Sequence, residues 1–313
     1  MVAVAGVLML AAARLTYQYG DVTYFGFDRG VLFSSPNLWI TNRWLTMVVN
    51  TALILVTTVS WLSVIQLFNP GRSSASLSGS YYLLMIMAVP ELMDQLNTGT
   101  FLAAVLPGCL ALLWSTYDNI SKIRHVFLLF AILSVLSMSQ YTFALYIPVF
   151  IIGCAQMKIF CLRTVLACLM GIITPWWIAF GLGLVKFSDI HFPEMTFFFS
   201  STGMDGLMGI VAVAIVTAIL FVIAWLSNVM QVLNLNANLR AYNGTLTLVS
   251  FVSLICMFGD FVNGVAYLPA LMLMTSYQLS FMFGKSTHPH RYIPIIIIML
   301  LYIGFYVLRQ ILL

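Results

Sequence analysis

Asp21 and Asp28 share one short stretch with Arg29, and Arg14 and Arg43 flank it on either side. A carboxylate beside a cationic clamp is the chemistry of group transfer from a lipid phosphate. The acid takes a proton from the acceptor or orients it, while guanidinium groups hold the phosphate of the donor. Asp28 is the stronger candidate. Gly26 and Gly30 let its backbone approach a ligand closely, and Arg29 keeps its carboxylate ionised. Asp21, beside Gly20, marks a turn and is the second candidate catalytic acid; Arg29 and Arg43 are the candidate phosphate-binding residues. The stretch has no adjacent acid pair (DD, DE or ED), and its charges also fit an ordinary interfacial loop.

A second group of acids sits in two related motifs. PELMDQLNTG (Pro90 to Gly99) precedes an apolar run containing Leu106-Pro107, and GDFVNG (Gly259 to Gly264) precedes one containing Leu268-Pro269. Each motif has an Asp and an Asn three residues apart, Asp94 with Asn97 and Asp260 with Asn263. Such a pair is first a cap and turn signal, since both side chains satisfy free N–H groups at a helix start. The alternative reading is functional: acids near lipid persist where they face a cavity, so Glu91, Asp94 and Asp260 are candidate substrate-binding residues of one outward-facing polar site. A parallel internal repeat would bring the two copies into equivalent places. Asp189, His191 and Glu194 are of metal-ligating types, but Pro193 breaks their spacing. No metal and no cofactor is expected. His288-Pro289-His290, beside Lys285 and Arg291, reads as a basic patch facing lipid headgroups.

Long apolar elements must position these groups. Of the 313 residues, 62% are hydrophobic and only 7% charged, whereas about a quarter of a water-soluble domain is charged. The chain is therefore expected to be all-α, a polytopic transmembrane bundle. A net charge of +4 without a basic stripe excludes nucleic acid as a partner. Cys109, Cys154, Cys161, Cys168 and Cys256 lie in apolar runs without ligand-like spacing and read as small hydrophobes.

Eleven apolar segments run near 2–15, 44–68, 81–93, 100–116, 126–139, 141–157, 164–185, 207–227, 245–259, 264–283 and 292–308. The expectation is about eleven spans, within a range of nine to twelve, because 81–93 with 100–116 and 126–139 with 141–157 are short enough to form re-entrant hairpins. Pro90, Pro107, Pro148, Pro175 and Pro269 lie in or beside these segments and predict kinked helices.

With the N-terminus inside, Arg72, Lys122, Arg124, Lys158, Arg163, Arg240, Lys285 and Arg291 face the cytoplasm, and Asp118 is the one acid there. The opposite face receives Arg14, Arg29, Arg43, Lys186 and Arg309 with the other eight acids. The domain is then a single integral unit, 1–313, with aromatic external loops near 14–43 and 186–206 and shorter internal ones, apart from a Gly/Ser-rich 69–80 and a polar 228–244. No GxxxxGK[ST] or strand-borne GxGxxG occurs, so ATP-driven transport by this chain alone is excluded.

The run AVPELMDQLNTGTFLAAVLPGCLALLWSTY, ending at Tyr117, followed by a basic turn and short helices around Ser139-Gln140-Tyr141 and Pro148, resembles an uncharacterised polytopic inner-membrane envelope family of Bacteroidetes. That family is similar in helix count and proline-rich helices to GT-C glycosyltransferases and lipid-linked saccharide polymerases. The resemblance implies a bacterial inner-membrane protein of roughly this length, and it transfers no active-site residue. Three functions follow as expectations. The first is a GT-C-like transferase or polymerase acting on polyprenyl-linked saccharide at the periplasmic face. The others are a noncatalytic subunit of a cell-envelope complex and a secondary transporter. The expected partners are membrane lipids, a polyprenyl-linked sugar and other envelope proteins.

Overall fold

The computed structural model describes residues 1–19, 30–68, 75–186, 204–260, 263–284 and 292–312. Among them no strand occurs. The helices are α1 (Val2–Tyr19), α2 (Arg43–Phe68), α3 (Ala75–Met87), α4 (Glu91–Asp94), α5 (Thr98–Trp114), α6 (Ile123–Ser139), α7 (Ile147–Gln156), α8 (Leu162–Gly181), α9 (Met204–Leu233), α10 (Ala237–Gly259), α11 (Gly264–Gly284) and α12 (Tyr292–Leu312). The eleven apolar segments read from the sequence are helical over most of their lengths, with a break at 88–90 inside the third and a non-helical end after Gly181 in the seventh.

Six of these helices are long and apolar enough to cross a membrane. Within the outer helices α6, α8 and α12, only 28%, 28% and 22% of such a stretch is buried. Their bare faces carry Leu128 and Val135 of α6, Met170, Ile173 and Trp177 of α8, and Ile297, Leu300 and Ile311 of α12, apolar side chains that suit lipid and not water.

At the centre stand α3 and α11. Every residue of α3 from Leu77 to Met87 is buried, as is every residue of α11 from Tyr267 to Phe281. Touching nothing but protein, α11 can carry Thr275, Ser276, Gln278 and Ser280, and although 21 residues long it is not among the six. Its polar groups bind its neighbours. Ser276 Oγ meets Ser78 Oγ of α3 at 3.1 Å, Trp61 of α2 donates to the same Ser78 at 3.1 Å, and Asn228 of α9 donates to the Gln278 backbone and side chain at 2.8 and 2.9 Å. Tyr277 donates to Asn243 of α10 at 3.0 Å.

Contacts fix the direction of each helix. One end of the bundle joins Tyr17 of α1 with Trp44 of α2, Arg43 with Asp94, Gly99 of α5 with the start of α11, Asp260 after α10 with Tyr141 before α7, and Arg309 of α12 with Gly209 of α9. Met138 of α6 and Ala179 of α8 pack together there. At the opposite end Trp114 of α5 stacks on Tyr242 of α10 at 5.1 Å, with Phe68 of α2 edge-on to both, and Asp118 N–H donates to Met157 C=O at 3.0 Å. Leaving α4 aside, the eleven described helices thus alternate in direction. The end that carries Arg43, Asp94 and Asp260 is the one that charge sorting assigns to the outer face.

Three boundaries differ from the sequence reading, for physical reasons. Residues 75–80, read as part of a Gly/Ser-rich loop, begin α3: Gly79 lies against Leu62 and Thr58 of α2, where small residues let helices approach. The polar 228–244 is mostly helical, because α9 runs to Leu233 and α10 starts at Ala237. Likewise α1 continues to Tyr19, so Arg14 lies on a helix and not in the first loop. Of the five prolines, Pro107, Pro175 and Pro269 are inside helices, while Pro148 opens α7 and Pro90 precedes α4, positions that lose no helical bond.

Candidate functional site

At the end that carries Arg43 and Asp260 the chain breaks between α3 and α5, forming the four-residue α4, and again between α10 and α11. The break before α5 is held by amides. Asn97 caps α5, its side chain accepting from Thr100 N–H at 2.9 Å, and its Nδ2 donates to Gln95 C=O at 3.1 Å. Asn50, fully buried in α2, donates to the Leu92 and Met93 carbonyls at 2.7 and 3.1 Å and accepts from Thr100 Oγ1 at 2.8 Å. One side chain therefore ties α2 to α4 and α5.

The two acids of α4 go to different partners. Asp94 accepts from Arg43 Nε at 3.3 Å, and the Arg43 guanidinium lies over the Tyr17 ring at 5.2 Å. Burial pushes the Asp94 carboxyl above its ordinary value, an effect that Arg43 offsets in part. Glu91 instead pairs with Arg309 near the end of α12. The guanidinium passes over Gly209 of α9, where a Cβ would collide with it. The cap reading thus holds for Asn97 and not for Asp94.

Asp260 has a third environment. Its backbone N–H closes α10 on Cys256 C=O at 2.9 Å, and its carboxylate accepts from the Tyr141 hydroxyl and from Asn263 Nδ2. Asp260 is 1% exposed and has no ion pair among the described residues. The two motifs meet without their aspartates touching: a Cβ on Gly99 would stand 2.8 Å from Ala266 C=O and 2.9 Å from the Pro269 ring. Beside this contact lies a pocket shared by Glu91, Gln95, Asn97 and Thr98 from the first motif and Asn263 and Val265 from the second.

A second concavity lies between α1 and α2. It is a groove of about 560 Å³ walled by Leu10, Ala13, Met47, Val48 and Leu55, with Arg14, Tyr17 and Trp44 toward the same end of the bundle. Tyr17 and Trp44 meet edge to face at 5.4 Å. Arg14, three residues before Tyr17 on the same helix face, is exposed and makes no ion pair among the described residues.

Of the candidates read from sequence, Glu91, Asp94, Arg43 and Asp260 all lie at this end of the bundle. Asp21, Asp28 and Arg29 lie outside the described residues, as do Asp189, His191 and Glu194. Asn50 and Tyr141 escape a search for acids and bases; the signal for Asn50 is an amide alone inside a long apolar run. No family model, curated protein or solved structure matches the chain.

Proposed function

We propose that the protein handles a polyprenyl-linked saccharide at the periplasmic face of a bacterial inner membrane, as a GT-C-like transferase or polymerase whose eleven alternating helices all cross the bilayer with the N-terminus inside. The observation that carries this reading is the groove between α1 and α2. Its apolar walls suit an isoprenoid chain. Arg14 and Arg43 stand at its outer end, where the phosphate of such a lipid would sit, and the Tyr17–Trp44 pair has the amphipathic character of the headgroup level. The chain that leaves α1 at this point leads directly into Asp21, Asp28 and Arg29. In this reading Arg14, Arg29 and Arg43 hold the donor phosphate and Asp28 takes the acceptor proton.

A photoreactive polyprenyl phosphate, added to the protein in lipid nanodiscs, tests it. The probe should label peptides of α1 and α2, and Ala52→Trp, which fills the groove, should abolish labelling. Asp28→Asn should keep the label and lose saccharide transfer. Labelling confined to other helices would overturn the assignment.

A further inference from the structure

We infer that the pocket between the α4–α5 break and the start of α11 binds one monovalent cation of about sodium size. The inference is independent of the lipid reading, because the pocket and the groove are walled by different residues.

Charge balance is the first reason. Glu91, Asp94 and Asp260 are three acids at this end of the bundle with buried side chains, and among the described residues two of them, Glu91 and Asp94, have an arginine partner. A carboxylate removed from water without a cation is costly. Among the described residues, the buried carboxylates here outnumber the arginines paired with them by one, which points to a monovalent occupant and not a divalent one.

Two buried oxygens give that charge a place. Because a carboxylate accepts only, Asp260 fixes the Asn263 amide with its Nδ2 toward Asp260 and Tyr141, leaving Oδ1 on the opposite side. Asn263 Oδ1 has no hydrogen-bond partner, and neither has Glu91 Oε2, whose other oxygen is taken by Arg309. Both residues line the pocket, and each side chain is 7% exposed. Val265 lines it too, and Pro269, four residues on, has no N–H to give the Val265 carbonyl. Carboxylate, amide and freed backbone carbonyl oxygens at a helix break are hard ligands of the kind that hold Na⁺ in membrane proteins. The free volume, about 30 Å³, admits an occupant the size of a water molecule and excludes a sugar.

The test is direct binding of radiolabelled ²²Na⁺ to the intact protein in detergent, at constant ionic strength with N-methylglucamine as the balancing cation. The expected result is saturable binding of about one ion per chain, with thermal stability rising as Na⁺ replaces N-methylglucamine. Asn263→Ala should weaken binding at least tenfold, and Asp260→Asn, which removes the excess charge, should do the same. Binding to the wild type can be read even if neither variant folds. No saturable binding to the wild type, binding displaced equally well by N-methylglucamine, or binding unchanged in a folded Asn263→Ala protein would each overturn the assignment. Proton uptake in place of Na⁺ uptake would overturn it as well.

Discussion

Glu91 and Arg309 form an ion pair between the shortest helix of the bundle and its last one, with side chains 7% and 10% exposed. Removing one member leaves the other charged and buried, a change that typically costs about 3–5 kcal/mol. Arg309→Met should therefore lower the unfolding midpoint strongly, and adding Glu91→Leu should recover most of the loss. Thermal unfolding in detergent, read as a double-mutant cycle, checks this; equal loss in the single and double variants would mean that the pair contributes by packing alone.

Gly99 is placed where α5 crosses the start of α11. A methyl group there meets the Ala266 carbonyl at 2.8 Å and the Pro269 ring at 2.9 Å, and neither can swing aside. Gly99→Ala should cost about 1–3 kcal/mol through overpacking, despite the better helix propensity of alanine. Gly108, with open space around its Cα, is the control: Gly108→Ala should be neutral or stabilising.

Asn50 satisfies two carbonyls and one hydroxyl that have left the regular helical pattern. Asn50→Leu keeps the bulk and removes the bonds, so the loss should be about 2 kcal/mol or more. Hydrogen exchange should rise at residues 92–100 and stay unchanged at the Trp114–Tyr242 end.

The Asp94 carboxyl, raised by burial, gives stability a pH dependence of definite sign. The folded state binds the proton more tightly than the unfolded one does. Asp94 therefore favours folding at low pH, and this advantage is lost as pH rises from the ordinary carboxyl value, about 4, through the raised value. Relative to Asp94→Asn, the wild type should lose stability across that window. Parallel unfolding curves for the two proteins would remove burial as the governing effect.

The proposed orientation has its own test. In a protein without native cysteines, Ser188→Cys should react with an impermeant thiol reagent added to intact cells, and Ser121→Cys, in the basic turn before α6, should not. Labelling at Ser121 alone would invert the bundle.

Helix positions were legible in the sequence because apolarity and backbone satisfaction give the same answer. What apolarity misses is polar helix inside protein. Ala75–Ser80 and Ala237–Gly244 look like loops, yet Ser78 bonds Trp61 and Ser276, and Asn243 bonds Tyr277. The two motifs were legible as an acid and an amide just before a proline-bearing helix, but their meeting was not, since similarity of two segments does not place them in contact. Their partners were not legible. Nothing local to Glu91 or Asp94 points to Arg309 for one and Arg43 for the other, because those choices depend on which helix ends the packing brings together.

The burial of α3 and α11 among other helices bears on how the chain is made. In the proposed eleven-crossing bundle, α3 has 13 residues, about 20 Å of helix at 1.5 Å per residue against a hydrocarbon core of about 30 Å. The first falls short of that thickness, and α11, with its buried Thr, Ser and Gln side chains, is not among the six helices long and apolar enough to cross. Each packs against helices made before it, α3 against α1 and α2 and α11 against α5, α9 and α10, and α3 also packs against the later α11. Assembly is then cooperative: the early helices wait for a central one that is synthesised near the end, and truncation before Gly264 leaves Asn228 without Gln278 and Ser78 with Trp61 alone.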